Sequence, residues 1–249
     1  MSLIAFAQVS VNDTTMEMSE FPIQKDQDVP VSLVLVVGGI GQGKSSFINS
    51  VTEKNECKEG DTWGVDQTIT KEVQEVDLKR KDDIITFIDT PSLRTLKSSP
   101  KFQDFSKTGF HAIVIVCSVK SYKPGSPVLQ EVYNLFGDDI YRYALIVLTF
   151  EDYLSDSTVE EFLKANTELK EFSKKTGDKC IAFNNSLENG SEEASEQRKR
   201  FFVYLDAILR QNDEQPLQRK GACAQCCVRL CSCCRLCLTW CKQIINGDR

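Results

Sequence analysis

Short apolar runs punctuate the chain from Val31 onward, at Val31–Val37, Ile84–Ile88, Ala112–Cys117, Ala144–Thr149 and Cys180–Phe183. They are rich in Val and Ile and too short for helices that pack alone, so each is expected to be a strand. Between them lie stretches with helical signals: Lys44–Val51, then Pro127–Phe136 with Ser126 as N-cap and Gly137 as stop, then Val159–Lys174, and Glu192–Gln211 behind Ser191. In the last, Phe201, Leu205 and Ile208 share one face, as packing onto a sheet requires. Val73–Leu78 is a candidate edge strand. Strand and helix in alternation predict an α/β fold with a mostly parallel central sheet between helical layers.

The ends read differently. Residues 1–30 mix Ser, Thr, Asp and Glu without a period and are expected to form a flexible arm, followed by a globular body over 31–212. Gln211–Gln218 is polar and contains Pro216, so the body is expected to end there; 213–249 is read as a linker and a cysteine-rich helix. No internal repeat is evident. The net charge of −6 hides an asymmetry: residues 219–249 carry six Lys/Arg against one Asp, and this +5 leaves the rest of the chain at −11. An acidic body gives no general reason to hold nucleic acid, whereas a basic tail suits anionic lipid or an acidic partner.

Immediately after the first strand stands Gly38-Gly39-Ile40-Gly41-Gln42-Gly43-Lys44-Ser45, followed by Ser46. This is the phosphate-loop pattern G-x-x-x-x-G-K-[ST] in its strand–loop–helix setting. Its glycines let backbone N–H groups turn toward phosphate oxygens, Lys44 would neutralise charge on them, and the Ser45 hydroxyl would ligate Mg²⁺. Asp89, ending the strand Ile84–Ile88, is placed to hold that Mg²⁺ through water; a simple Asp turn is the alternative. Thr70, in the polar segment upstream, is a candidate switch threonine for the metal, with Thr68 as rival and an ordinary surface role for either.

The base would be read at Thr149-Phe150-Glu151-Asp152 and at Asn184-Asn185, both following strands. A carboxylate there can accept from guanine N1–H and N2–H₂, a donor pair that adenine lacks. The competing readings are solvated residues opening a helix and an Asn turn. His111, the single histidine, is read as structural, with a dimer-interface role as alternative. Arg94 is either a phosphate-facing arginine or a solvated loop charge.

Together with Ile69-Thr70-Lys71, Ile88-Asp89-Thr90-Pro91, Phe110-His111-Ala112, Leu135-Phe136-Gly137, Val147-Leu148-Thr149 with Leu154, and Ala182-Phe183-Asn184-Asn185, these residues resemble the immunity-associated GTPases, relatives of the chloroplast-import Toc receptors, over about residues 32–212. The resemblance implies a Ras-like G domain, GTP/GDP binding with Mg²⁺, slow intrinsic hydrolysis, nucleotide-dependent association of G domains into homo- or heterodimers or oligomers, and frequent membrane attachment. Three positions depart from the family pattern: Ser92 stands for Gly after Asp-Thr-Pro, Phe150 for a basic residue or His, and Asp152 for a more frequent Glu. No Gln follows Asp89 where Ras-like enzymes position water with one, so slow turnover is expected. A non-switching nucleotide-bound scaffold and an ATP-using enzyme are the alternatives.

Eight of the eleven cysteines lie in the tail: Cys223, Cys226, Cys227, Cys231, Cys233, Cys234, Cys237 and Cys241. Wound as a helix, they share an arc of roughly 160°. Such a helix is expected to lie on the cytosolic face of a membrane with some thiols S-acylated. Metal binding through Cys223-x-x-Cys226 and Cys231-x-x-Cys234, or ordinary helix packing, are the rivals. Arg229 and Arg235 interrupt the apolar run before it reaches the ~20 residues that span a bilayer. Met1–Ser10 does not look like a secretory signal, so a cytoplasmic protein is expected.

Overall fold

The computed structural model describes residues 29–58, 72–96, 99–155 and 157–219. Six strands form one sheet: β1 (Val31–Gly38), β2 (Gln74–Lys79), β3 (Ile84–Asp89), β4 (Ala112–Ser118), β5 (Ala144–Thr149) and β6 (Cys180–Phe183). Their order is β2-β3-β1-β4-β5-β6; β2 pairs antiparallel with β3 and every other pair is parallel. The expected edge strand is present, shifted by one residue. Its antiparallel sense follows from the short 80–83 turn, clamped by Arg80 donating to Asp83, since a parallel partner needs a crossover.

Helices cover both faces. One side carries α1 (Lys44–Thr52) and, last in the chain, α8 (Glu192–Gln211). The other carries α2 (Leu93–Leu96), α3 (Pro100–Thr108), α4 (Pro127–Phe136), α5 (Ile140–Tyr143), α6 (Val159–Ala165) and α7 (Thr167–Lys175). Alternate strand residues feed two separate cores: Leu35, Val37, Ile113 and Ile115 pack toward α3, α4 and α7, while Val34, Val36, Val114 and Val116 pack toward α1 and α8. Strands buried on both faces explain the continuous apolar runs. On α8, Phe201, Leu205 and Ile208 are fully buried, on the face expected for them. Phe201 meets Phe47 edge to face, with centroids 5.1 Å apart.

One local reading is corrected. The single helix expected over Val159–Lys174 is two, broken at Asn166, whose side-chain amide donates to Phe162 O at 2.8 Å. An Asn that bonds nearby backbone competes with the helix ladder. Ser126 occupies the N-cap of α4 without a side-chain capping bond, whereas Ser191 accepts from Ala194 N–H at 3.1 Å. Helix α3 was not expected, although Ser99 caps it, Pro100 opens it and Gly109 stops it.

After α8 the chain folds back. Leu217, buried, exchanges two backbone hydrogen bonds with Phe110, at 2.9 and 2.8 Å. Next to it, Leu33 N–H donates to His111 Nδ1 at 2.9 Å and His111 N–H donates to Leu33 O at 2.8 Å. The imidazole therefore ties β4 to β1 as a neutral acceptor, and burial holds its pKa below the usual histidine value. Gly109 sits at φ 90°, ψ 175°, and a Cβ there would lie 2.9 Å from both Leu217 O and Pro216 Cβ. Gly109→Ala is expected to cost about 1–3 kcal/mol and to speed hydrogen exchange at the Phe110 and Leu217 amides, read by NMR.

Candidate nucleotide site

The C-terminal ends of β1, β3, β4, β5 and β6 converge on one edge of the sheet, where open α/β folds bind their ligands. Gly38 ends β1 so tightly against β4 that a Cβ would stand 2.5 Å from Val116 O. The loop that follows turns through Gly41 (φ 69°) and Gly43 (φ 81°), left-handed conformations that Gly adopts without strain. It delivers Lys44 and Ser45 to the first turn of α1.

Lys44 is only 7% exposed, and its ammonium donates to Gly39 O at 3.0 Å, across the mouth of the loop. Burial lowers its pKa and the charge of Asp89 opposes that shift. The Ser45 hydroxyl donates to Asp89 Oδ2 at 2.7 Å. Asp89 is fully buried at the end of β3, with its carboxylate turned to the Ser45 hydroxyl. Next to it, Thr90 anchors the strand end by donating to Val36 O at 2.7 Å. The paired hydroxyl and carboxylate are the kind of hard-oxygen set that suits Mg²⁺, with Lys44 beside it for phosphate charge.

The base-motif residues divide into two roles. Thr149, fully buried, donates its hydroxyl to Gln42 O at 2.7 Å, and the Asn185 amide donates to Gly43 O at 3.1 Å. Both brace the phosphate loop from behind. Thr149→Val, nearly isosteric, is expected to destabilise by about 1–2 kcal/mol through the buried carbonyl it orphans, measured by urea unfolding. Asn185 Oδ1 is buried with no protein donor, an acceptor left beside the loop. Asn184 instead shapes its own turn, accepting from Ser186 N–H at 2.9 Å.

Glu151 and Asp152 open a 3-10 turn, Glu151–Leu154, and line a cleft of about 1030 Å³ with Asn184, Ser191 and Gln197. Phe150, before that turn, is left-handed at φ 59°. Its ring meets Tyr153 edge to face at 6.0 Å. Ile40 and Ser46 complete the loop, Ile40 at its exposed rim and Ser46 in α1. Thr68, Thr70 and the tail cysteines lie outside the described residues, as does the side chain of Arg94.

One residue, Gln197, and the partners of another, Gln42, escaped the sequence reading. Gln197 of α8 clamps Asn184, accepting from its N–H at 2.6 Å and donating to its carbonyl at 3.2 Å. It lies four residues before Phe201, a polar side chain on the buried stripe, and that was its signal. Gln42 accepts from Ser118 N–H at 2.6 Å and donates to Ser121 Oγ at 3.0 Å.

The AIG1 family model matches residues 32–225. The chain belongs to the AIG1 family. This AIG1-family chain is 27% identical over 182 residues to human GTPase IMAP family member 8, covering 72% of itself and 27% of that protein. It thus spans about a quarter of the length of the curated relatives it matches. Its fold is that of Toc33 from Arabidopsis thaliana, solved in complex with GDP and Mg²⁺, at a TM-score of 0.56 and 18% identity over 78% of this chain and 89% of that one. A second similar structure, at a TM-score of 0.52 and 18% identity over 74% and 85% of the two chains, is of the chloroplast translocon components atToc33 and psToc159, for whose GTPase activity dimerization is important. The AIG1-family chain is therefore an α/β G domain with a six-stranded, mostly parallel sheet.

Proposed function

We propose that this domain binds GTP and GDP with Mg²⁺ and acts as a membrane-attached switch or scaffold whose slow hydrolysis is stimulated by assembly. The Ser45–Asp89 contact at 2.7 Å, beside a buried Lys44, carries the reading. It brings a phosphate-loop hydroxyl and a strand-end carboxylate, 44 residues apart, to one point where a metal would sit. Ser45 and Thr70 would hold the ion, with Asp89 supporting it through water. Bound there, Mg²⁺ would offset negative charge on the phosphates.

The loop N–H groups and Lys44 would grip the phosphates, and Asp152 would accept from the guanine edge in a pocket framed by Asn184 and Asn185. The Toc33 complex with GDP and Mg²⁺ supports the choice of ligand, and the dimerization-linked GTPase activity of atToc33 and psToc159 supports assembly. Among the described residues no helix is long and apolar enough to cross a membrane. The cysteines between Cys223 and Cys241, with the basic residues around them, are the candidate attachment site, through S-acylation.

Titration of the full chain with fluorescent GDP, a non-hydrolysable GTP analogue and an ATP analogue, with mass followed by light scattering, tests this. Guanine-selective binding with dimers in the GTP form supports the switch, and adenine preference or no binding overturns it. Equal affinities without a mass change favour a constitutively loaded scaffold. That second reading draws on Ser92, whose carbonyl accepts from Leu96 N–H at 3.0 Å and so commits the position after Pro91 to the first turn of α2.

A further inference from the structure

Phe150 stands in the base motif where the family pattern given above has a basic residue or His. A cation nevertheless stands there. Lys120, from the loop between β4 and α4, places its ammonium 5.8 Å from the Phe150 ring centroid and 4.8 Å from that of Tyr153. Cation–π attraction at such distances favours this seat over open water.

The loop that carries Lys120 is held on both sides. Gln42 grips Ser118 N–H and Ser121 Oγ, the residues two before and one after Lys120. Val119 N–H donates to Thr149 O at 2.9 Å, joining the same loop to the residue before Phe150. Phosphate loop, β4 loop and base loop are thereby fastened together, with a lysine at their junction. The charge around it is of the opposite sign: the neighbouring cleft is lined by Glu151, Asp152, Glu192, Glu193 and Glu196, against Lys199 and Arg200. An anionic nucleotide approaching that end meets repulsion that a fixed cation offsets.

We propose that Lys120 supplies in space the positive charge that the base motif lacks in sequence, and that Gln42 is the positioning residue that holds it there. Lys120 is then a nucleotide-binding residue of the base end. This rests on the guanine-nucleotide reading above and deepens it.

The test uses the full chain and fluorescent GDP with Mg²⁺. Lys120→Met is expected to weaken binding about tenfold, while Lys120→Arg retains it. Phe150→Lys in the Lys120→Met background returns the cation to its family position and is expected to recover most of the loss. Gln42→Ala is expected to weaken binding by a similar factor and to add little to Lys120→Met, the signature of two residues acting as one unit. Circular dichroism and the thermal midpoint of each variant separate these effects from unfolding.

Unchanged affinity in Lys120→Met overturns the assignment while leaving nucleotide binding standing. Additive losses in the double variant remove Gln42 from it. A loss that Phe150→Lys does not recover shows that Lys120 acts by shaping its loop and not by its charge, which also overturns it. A wild-type chain that binds no GDP sinks the inference and the underlying reading together.

Discussion

Lys44→Ala is expected to abolish measurable guanine-nucleotide binding, a loss of about a hundredfold or more, while the protein keeps its secondary structure and unfolds near the wild-type temperature. The ammonium is buried and donates to Gly39 O at 3.0 Å, so it is already held inside the phosphate loop. Its pKa is lowered chiefly by desolvation, which means that the charge is costly where it sits. Among the described residues its acceptor is a backbone carbonyl, with the Asp89 charge nearby, a setting suited to a cation that binds an anion. Removing it takes away the main charge-assisted contact to the phosphates and relieves a burial cost in the free protein. Isothermal titration with GDP, paired with circular dichroism, checks both halves. Near-native affinity in this variant would refute the phosphate assignment.

Phe201→Ala is expected to have the largest effect on stability, about 3–5 kcal/mol. Its ring is fully buried between α8 and the sheet and packs against Phe47, Phe87 and Phe202, with centroids 5.1, 6.2 and 5.2 Å away. Phe47 belongs to α1 and in turn meets Phe183 of β6 at 4.9 Å. The cavity thus opens in the layer that backs the phosphate loop. For a domain of this size such a loss lowers the thermal midpoint by about 10 °C or more. Differential scanning calorimetry reads it directly, and a shift under about 3 °C would mean that the two helices do not depend on this ring.

Strand positions and sheet class were legible because strands covered on both faces must be apolar throughout, and Val/Ile runs such as Ala144–Thr149 have few other readings. The phosphate loop was legible because its glycines and Lys-Ser pair have a mechanical reason to stand in that order. What escaped depended on long-range partners. Nothing local to Gln42 announces Ser118 and Ser121, more than seventy positions away. Thr149 ends β5 and Asn185 follows β6, positions that suggest a base pocket, and sequence alone does not show that each also spends a polar group on a phosphate-loop carbonyl. The break at Asn166 was hidden for a different reason. Apolar spacing continues through it to Leu169 and Phe172, both buried, so the periodic pattern registers no interruption.

The backbone bridge between Phe110 and Leu217 also sets the orientation of the whole particle. Phe110 precedes β4, at the edge of the sheet where the parallel strands begin, whereas Gly38, Asp89, Thr149 and Asn185 stand where they end or just beyond. A six-residue strand spans about 20 Å, so Leu217 stands roughly that far from Lys44, at the opposite end of the parallel strands. A molecule attached at Leu217 would therefore sit at the end of the sheet where the parallel strands begin. The phosphate-loop end of the sheet is the end farther from such an attachment.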